Sequence, residues 1–125
     1  LVPNQTPEKA FALLKKHVAK LNPEVTVERE GMLHPFRGVF DGPYVDAVKR
    51  AVKAGSGKEP AFIREGGSIG AVVTMQKAWK VPILFMGLSL PEHGYHAPNE
   101  YFDWGQASGG MKAFVHYFAE LAAKR

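Results

Sequence analysis

A chain of 125 residues, 46% of them hydrophobic, has the size of one soluble domain with a modest core, and its longest apolar stretch, 81–90, is interrupted by Pro82 and Gly87 and falls short of the roughly 18 residues a membrane helix needs. The net charge of +4 raises nucleic acid as a partner, but the basic residues divide between helix faces, with Lys9, Lys15, Lys16 and Lys20 on one and Lys49, Arg50, Lys53 and Lys58 on or after another, so neither nucleic acid nor membrane is an expected partner. The absence of cysteine excludes disulfides and thiolate ligands, leaves His, Asp and Glu as possible metal donors, and fits a reducing compartment, so a cytoplasmic location is the expectation.

The chain opens on Leu1 rather than methionine and carries no charged start followed by an apolar run, so further sequence upstream is expected and a secretory signal is not. Leu1-Val2 suits the end of a strand. Thr6-Pro7-Glu8 supplies an N-cap, a proline at the first helical position and a first-turn acid, and Phe11, Leu14, Val18 and Leu21 continue with helical period, predicting a helix over 7–20. Val25 and Val27 alternate with polar residues over 25–30 as in a half-exposed strand, which makes the opening a β-α-β unit.

Glycines and Pro35 between Gly31 and Gly42 mark a connection and a boundary between two parts of the chain. Asp41-Gly42-Pro43 leads into Val45, Val48 and Val52 at helical spacing, and Gly55-Ser56-Gly57 closes that helix. Ala61-Phe62-Ile63 reads as a short strand, Gly66-Gly67 as a tight turn, and Ser68 as the N-cap of a helix carrying Ile69, Val72, Val73, Gln76 and Trp79. Residues 81–88 are continuously apolar, as in a strand covered on both faces. The last helix, from about Asp103 to Ala123, places Met111, Phe114, Val115, Phe118 and Leu121 on one face despite Gly109 and Gly110. Strands alternating with helices predict an α/β fold with a mixed or parallel sheet.

Two segments offer chemistry. Gly66-Gly67-Ser68, between a strand and a helix, can present backbone N–H groups, a helix dipole and a hydroxyl to an anion, although on the residues alone the signal is weak and a tight turn with a helix cap is the favoured reading. Lys58 after Gly57 resembles the end of a phosphate-binding loop only superficially, because the motif's first glycine is missing and Glu59 replaces its hydroxyl residue. The polar run Glu92-His93-Gly94-Tyr95-His96-Ala97-Pro98-Asn99-Glu100 follows the apolar stretch, where open sheets bind ligands. A neutral imidazole there suits zinc, with Asn99 or Glu100 to orient it, while composition alone allows two surface histidines. His17, His34 and His116 have no ligand-like companions.

The run Phe62-Ile63-Arg64-Glu65-Gly66-Gly67-Ser68-Ile69 resembles the Arg-Glu-Gly-Gly-Ser-Ile-Pro segment of the two-zinc peptidases that include carnosine dipeptidase, aminoacylase, acetylornithine deacetylase and succinyl-diaminopimelate desuccinylase. Downstream, Tyr95-His96-Ala97-Pro98-Asn99-Glu100 is similar to that family's Ala-His-Ser-Pro-Asn-Glu motif, and Leu1-Val2-Pro3-Asn4-Gln5 is like a strand of its lid domain, so the resemblance covers nearly the whole chain. Departures are Gly70 at a frequent proline, and Tyr95 and Ala97 on either side of the histidine.

The resemblance implies the C-terminal part of a zinc-dependent peptidase or amidohydrolase that cleaves dipeptides or N-acyl amino acids. Residues 1–33 would be the last β-α-β of the lid, or dimerisation, domain, and 34–125 the end of the catalytic domain. His96 would be a zinc ligand, with two ions expected in the complete enzyme, and Gly67 and Ser68 would hold the substrate carboxylate. The family's remaining ligands and its general base lie upstream of these motifs, so no residue here is assigned a catalytic role and the chain alone is expected to be inactive. Its expected partners are the missing N-terminal part or a second copy. The alternatives are a non-catalytic binding or assembly module that retains part of this fold, and an unrelated α/β anion-binding protein.

Overall fold

The computed structural model describes residues 1–64 and 69–123. They form α1 (Pro7–Leu21), α2 (Pro43–Ser56), α3 (Gly70–Trp79) and α4 (Trp104–Ala122), with one turn of 3-10 helix at Pro91–His93. No strand or sheet occurs among the described residues, which overturns the α/β architecture expected above, including both the mixed or parallel sheet and the β-α-β opening. Apolar patterning states only that a segment suits a sheet; a strand forms where a neighbour completes its backbone hydrogen bonds. Leu1-Val2, 25–30, 61–63 and 81–88 have no such ladder among the described residues. Their apolar side chains are exposed or half-buried: Ile63 is 74% exposed, and no residue of 81–88 is fully buried.

The helix ends follow local chemistry. Thr6 caps α1 by accepting a hydrogen bond from the Lys9 N–H at 3.3 Å, with Pro7 at the first helical position. Gly57 ends α2 at φ 74°, a left-handed conformation in which its N–H reaches the Lys53 carbonyl at 2.8 Å. α3 starts at Gly70, with Ile69 as its cap. Ser68, expected to cap it, and Gly67 lie outside the described residues.

The chain divides into two compact units. One comprises Leu1–Gly38 and Arg64–Ile83 and contains α1 and α3. In it Pro7 and Val72 are buried, and Leu33 packs against Gly70, where an added Cβ would lie 3.1 Å from the leucine side chain.

The other unit comprises Val39–Ile63 and Leu84–Arg125 and is built on α2 packed against α4. Its core consists of Val45, Ala47, Val48 and Ala51 from α2, facing Gly110 and Ala113 of α4. The approach is close enough to be backbone to backbone: a Cβ on Gly55 would sit 2.5 Å from the Ala113 nitrogen and 2.6 Å from the Gly109 oxygen. Arg50 then spans the pair, its Nε donating to both Glu120 carboxylate oxygens at 3.0 Å and its Nη2 to Oε2 at 2.6 Å.

Small residues thus select the buried side of α4, and the face expected to be buried is not. Met111, Phe114, Val115 and Phe118 are exposed, Phe118 to 65%, and Trp104 at the helix start to 74%. A periodic apolar stripe marks where a helix suits burial. Which side meets α2 is decided by how near two backbones can come.

Candidate functional site

The 3-10 turn and the segment behind it carry the polar run singled out in the sequence. His93 and Leu90 bond reciprocally: the His93 N–H donates to the Leu90 carbonyl at 3.0 Å, and the Leu90 N–H donates to His93 Nδ1 at 3.1 Å. With Nδ1 occupied as an acceptor, the ring proton resides on Nε2, which donates to Asp103 Oδ2 at 2.8 Å. His93 is 1% exposed, and its ring meets those of Tyr101 and Phe102 edge-on at 5.1 and 5.5 Å.

Asp103 uses its other oxygen as the N-cap of α4, where Oδ1 accepts from the Gln106 N–H at 2.8 Å. One carboxylate therefore ends the loop and begins the helix. These two bonds, first that from Gln106 and then that from His93, hold the Asp103 carboxyl below the usual aspartate value. Because the folded value lies below the unfolded one, the bonds stabilise the protein above the ordinary aspartate range, near about 3.9, and the contribution is lost as pH falls from there through the lowered value. The protection of the amides of residues 94–106, measured against their intrinsic exchange rates at each pH, is accordingly expected to fall over that acid window in the wild type. The step should be missing from Asp103→Ser, which keeps a neutral cap, and an identical step in that variant would assign the titration to another group.

Between His93 and Asp103 the chain runs through successive turns. The Ala97 N–H bonds to the Gly94 carbonyl at 3.0 Å, the Glu100 N–H to the Ala97 carbonyl at 3.3 Å, and the Tyr101 N–H returns to the His93 carbonyl at 3.1 Å. Pro98 and Asn99 occupy the middle of the second turn, with Asn99 at φ 62°, the proline-then-left-handed order of a type II turn. His96 holds the corresponding place in the first turn at φ 64°. A left-handed histidine costs roughly 1–2 kcal/mol and persists because the surrounding bonds fix it.

His96 itself is exposed, its ring edge-on to Tyr95 at 6.1 Å. Asn99 and Glu100, considered above as its orienting groups, are also exposed and participate in the turns. Residues sequence reasoning missed are His93, which is the buried histidine of the pair, and Asp103 in its second role. The available signal was an acid at a helix start, with one oxygen to spare, ten residues after a histidine in a Pro-Glu-His-Gly turn.

No group of three or more His, Asp or Glu side chains suited to a metal ion occurs among the described residues. The exposed His96 imidazole, presented on a fixed turn, fits as one donor to a shared metal centre and not as a centre of its own. Beside the loop, Ser89, Glu100, Tyr101 and Phe102 line a shallow cavity of about 360 Å³ that does not include His96. Among the described residues no helix is long and apolar enough to cross a membrane.

No protein-family model matches the chain. Among curated proteins it is similar to the Cys-Gly metallodipeptidase dug1 of Schizosaccharomyces pombe, with 30% identity across 98% of this chain and 27% of that protein. It is 32% identical to the Cys-Gly metallodipeptidase DUG1 of Saccharomyces cerevisiae, across 95% of this chain and 27% of the relative. The Beta-Ala-His dipeptidase of Homo sapiens is 30% identical over 90 residues, covering 72% of this chain and 18% of that protein. The chain thus spans about a quarter of the length of the Cys-Gly dipeptidases it matches. It belongs to the metallopeptidase family that contains these Cys-Gly and Beta-Ala-His dipeptidases, and corresponds to their C-terminal part.

Proposed function

We propose that the chain is the C-terminal part of a zinc-dependent dipeptidase or related amidohydrolase, in which His96 contributes one metal-binding imidazole and Gly67 and Ser68 bind the substrate's carboxylate. The supporting observation is the placement of His96: exposed, held in a left-handed turn, on a loop fastened at both ends. Strain maintained by surrounding bonds is characteristic of residues that a function requires in one position. The bound metal would polarise an amide carbonyl and lower the pKa of a water molecule. This chain's share is to supply His96 as a donor and, in the 67–68 segment, backbone N–H and hydroxyl groups for an anion.

In this reading residues 1–33 belong to a lid domain, 34–125 to the catalytic domain, and the compartment is the reducing cytoplasm. The N-terminal part of the parent protein, or a second copy, covers the exposed apolar side chains, including Trp104, Val115 and Phe118. The 125-residue chain with added zinc is expected to hydrolyse neither dipeptides nor N-acyl amino acids, while a complete protein carrying it does so in a metal-dependent way. Turnover by homogeneous chain would overturn the division of labour. A complete protein without metal-dependent hydrolysis would instead favour a binding or assembly module.

A further inference from the structure

The His93–Asp103 bond is buried on its histidine side and joins the two ends of the loop that carries the proposed donor. We propose that His93 and Asp103 are a positioning pair, a clasp that sets the conformation of residues 94–102 and through it the place of the His96 imidazole. The inference rests on reading His96 as a metal donor, and it deepens that reading by assigning the residues that aim it.

Three observations support the clasp. Leu90 fixes the tautomer of His93, because its N–H requires Nδ1 as acceptor and leaves Nε2 as the donor. That donor needs an acceptor, and the Asp103 carboxylate supplies one oxygen to it and the other to the start of α4. The closing bond from the Tyr101 N–H to the His93 carbonyl brings the two ends of the loop together at the same point, with the Tyr101 and Phe102 rings against the imidazole. The loop is thus tied to a helix terminus rather than to another loop, and elements of that kind hold functional groups more accurately.

The test uses the complete protein with three variants. His93→Phe keeps ring volume and loses both side-chain bonds. Asp103→Ser keeps an N-cap acceptor but cannot reach His93. His93→Gln keeps a side-chain donor toward Asp103. Amide exchange of 94–102, with α2 and residues 107–122 as internal references, is measured alongside kcat, KM and metal content after dialysis against a zinc buffer. His93→Phe and Asp103→Ser are expected to speed exchange of the loop at least about 10-fold while the references hold. They should lower kcat, metal content or both roughly 10- to 100-fold, with KM altered far less, and Gln should restore part of the loss.

A purely structural role would instead speed exchange in α2 and α4 as well and lower the melting temperature. That result, or loop exchange unchanged in both variants, overturns the clasp. Faster loop exchange with wild-type kcat and metal content overturns its role in aiming His96. His96→Ala runs alongside: full activity there removes the donor assignment, while the exchange arm still decides whether His93 and Asp103 hold the loop.

Discussion

His96→Ala, made in a complete protein carrying this chain, is expected to lower metal-dependent kcat/KM by at least about 100-fold. Loss of a residue that merely orients a metal ligand costs roughly 10- to 100-fold, and loss of the donor itself should equal or exceed that. A hundredfold loss corresponds to about 2.7 kcal/mol of transition-state stabilisation. His96 sits at φ 64° and its side chain is exposed, so replacement removes no buried contact. Any strain that a left-handed alanine retains is present in the histidine too. Circular dichroism and melting temperature should therefore match the wild type. Wild-type kcat/KM and zinc content in the variant would identify His96 as an ordinary turn residue and remove the metal from this part of the chain.

Gly55→Ala is expected to destabilise the protein by about 1–2 kcal/mol, against the usual direction for an exposed helix. Helix propensity alone favours alanine by about 1 kcal/mol. The new methyl, however, would lie 2.5 Å from the Ala113 nitrogen, 2.6 Å from the Gly109 oxygen and 2.9 Å from the Ala113 Cα, all of them backbone atoms that no rotamer change moves. Overpacking of a fixed contact costs roughly 1–3 kcal/mol and more where the backbone must part, so the clash wins. Gly110→Ala is the control. Its methyl would meet the side chain of Leu88, which can rotate aside, and its effect should stay within about 1 kcal/mol of neutral. Thermal unfolding of both variants decides the matter, and a Gly55→Ala protein at least as stable as wild type would mean that the two helices slide apart without cost.

The ends of the helices were legible because they are local chemistry. Thr6-Pro7 and Gly57 specify a cap, a first turn or a left-handed stop through atoms within a few residues, and Asp103 was read as the place where α4 begins, whereas the start of α3 at Gly70 with Ile69 as cap was not read. Strands were not, since residues 25–30 and 81–88 suit a sheet and the described part of the chain contains no neighbour to make one. The exposed stripe of α4 has the same cause: pattern records what a surface suits, and packing records what it meets. His96 was singled out by its motif, whereas the fastening of its loop was not legible. The tautomer of His93 depends on Leu90 and Asp103 arriving together, and no spacing in the sequence states that they do. Gly67 and Ser68 were singled out by the other motif and lie outside the described residues.

The glycines in the first half of α4 leave that helix poorly able to exist without α2. Gly105, Gly109 and Gly110 fall in its first half, each about 1 kcal/mol less favourable in a helix than alanine, and an isolated helix must first meet the cost of nucleation. α2, whose interior up to Ala54 has no glycine, carries no such handicap. Packing on α2, across about fifty residues of intervening chain, is what gives the first half of α4 its lasting start. Since Asp103 caps that same start, the loop bearing His96 depends in turn on a contact made between two bare backbones.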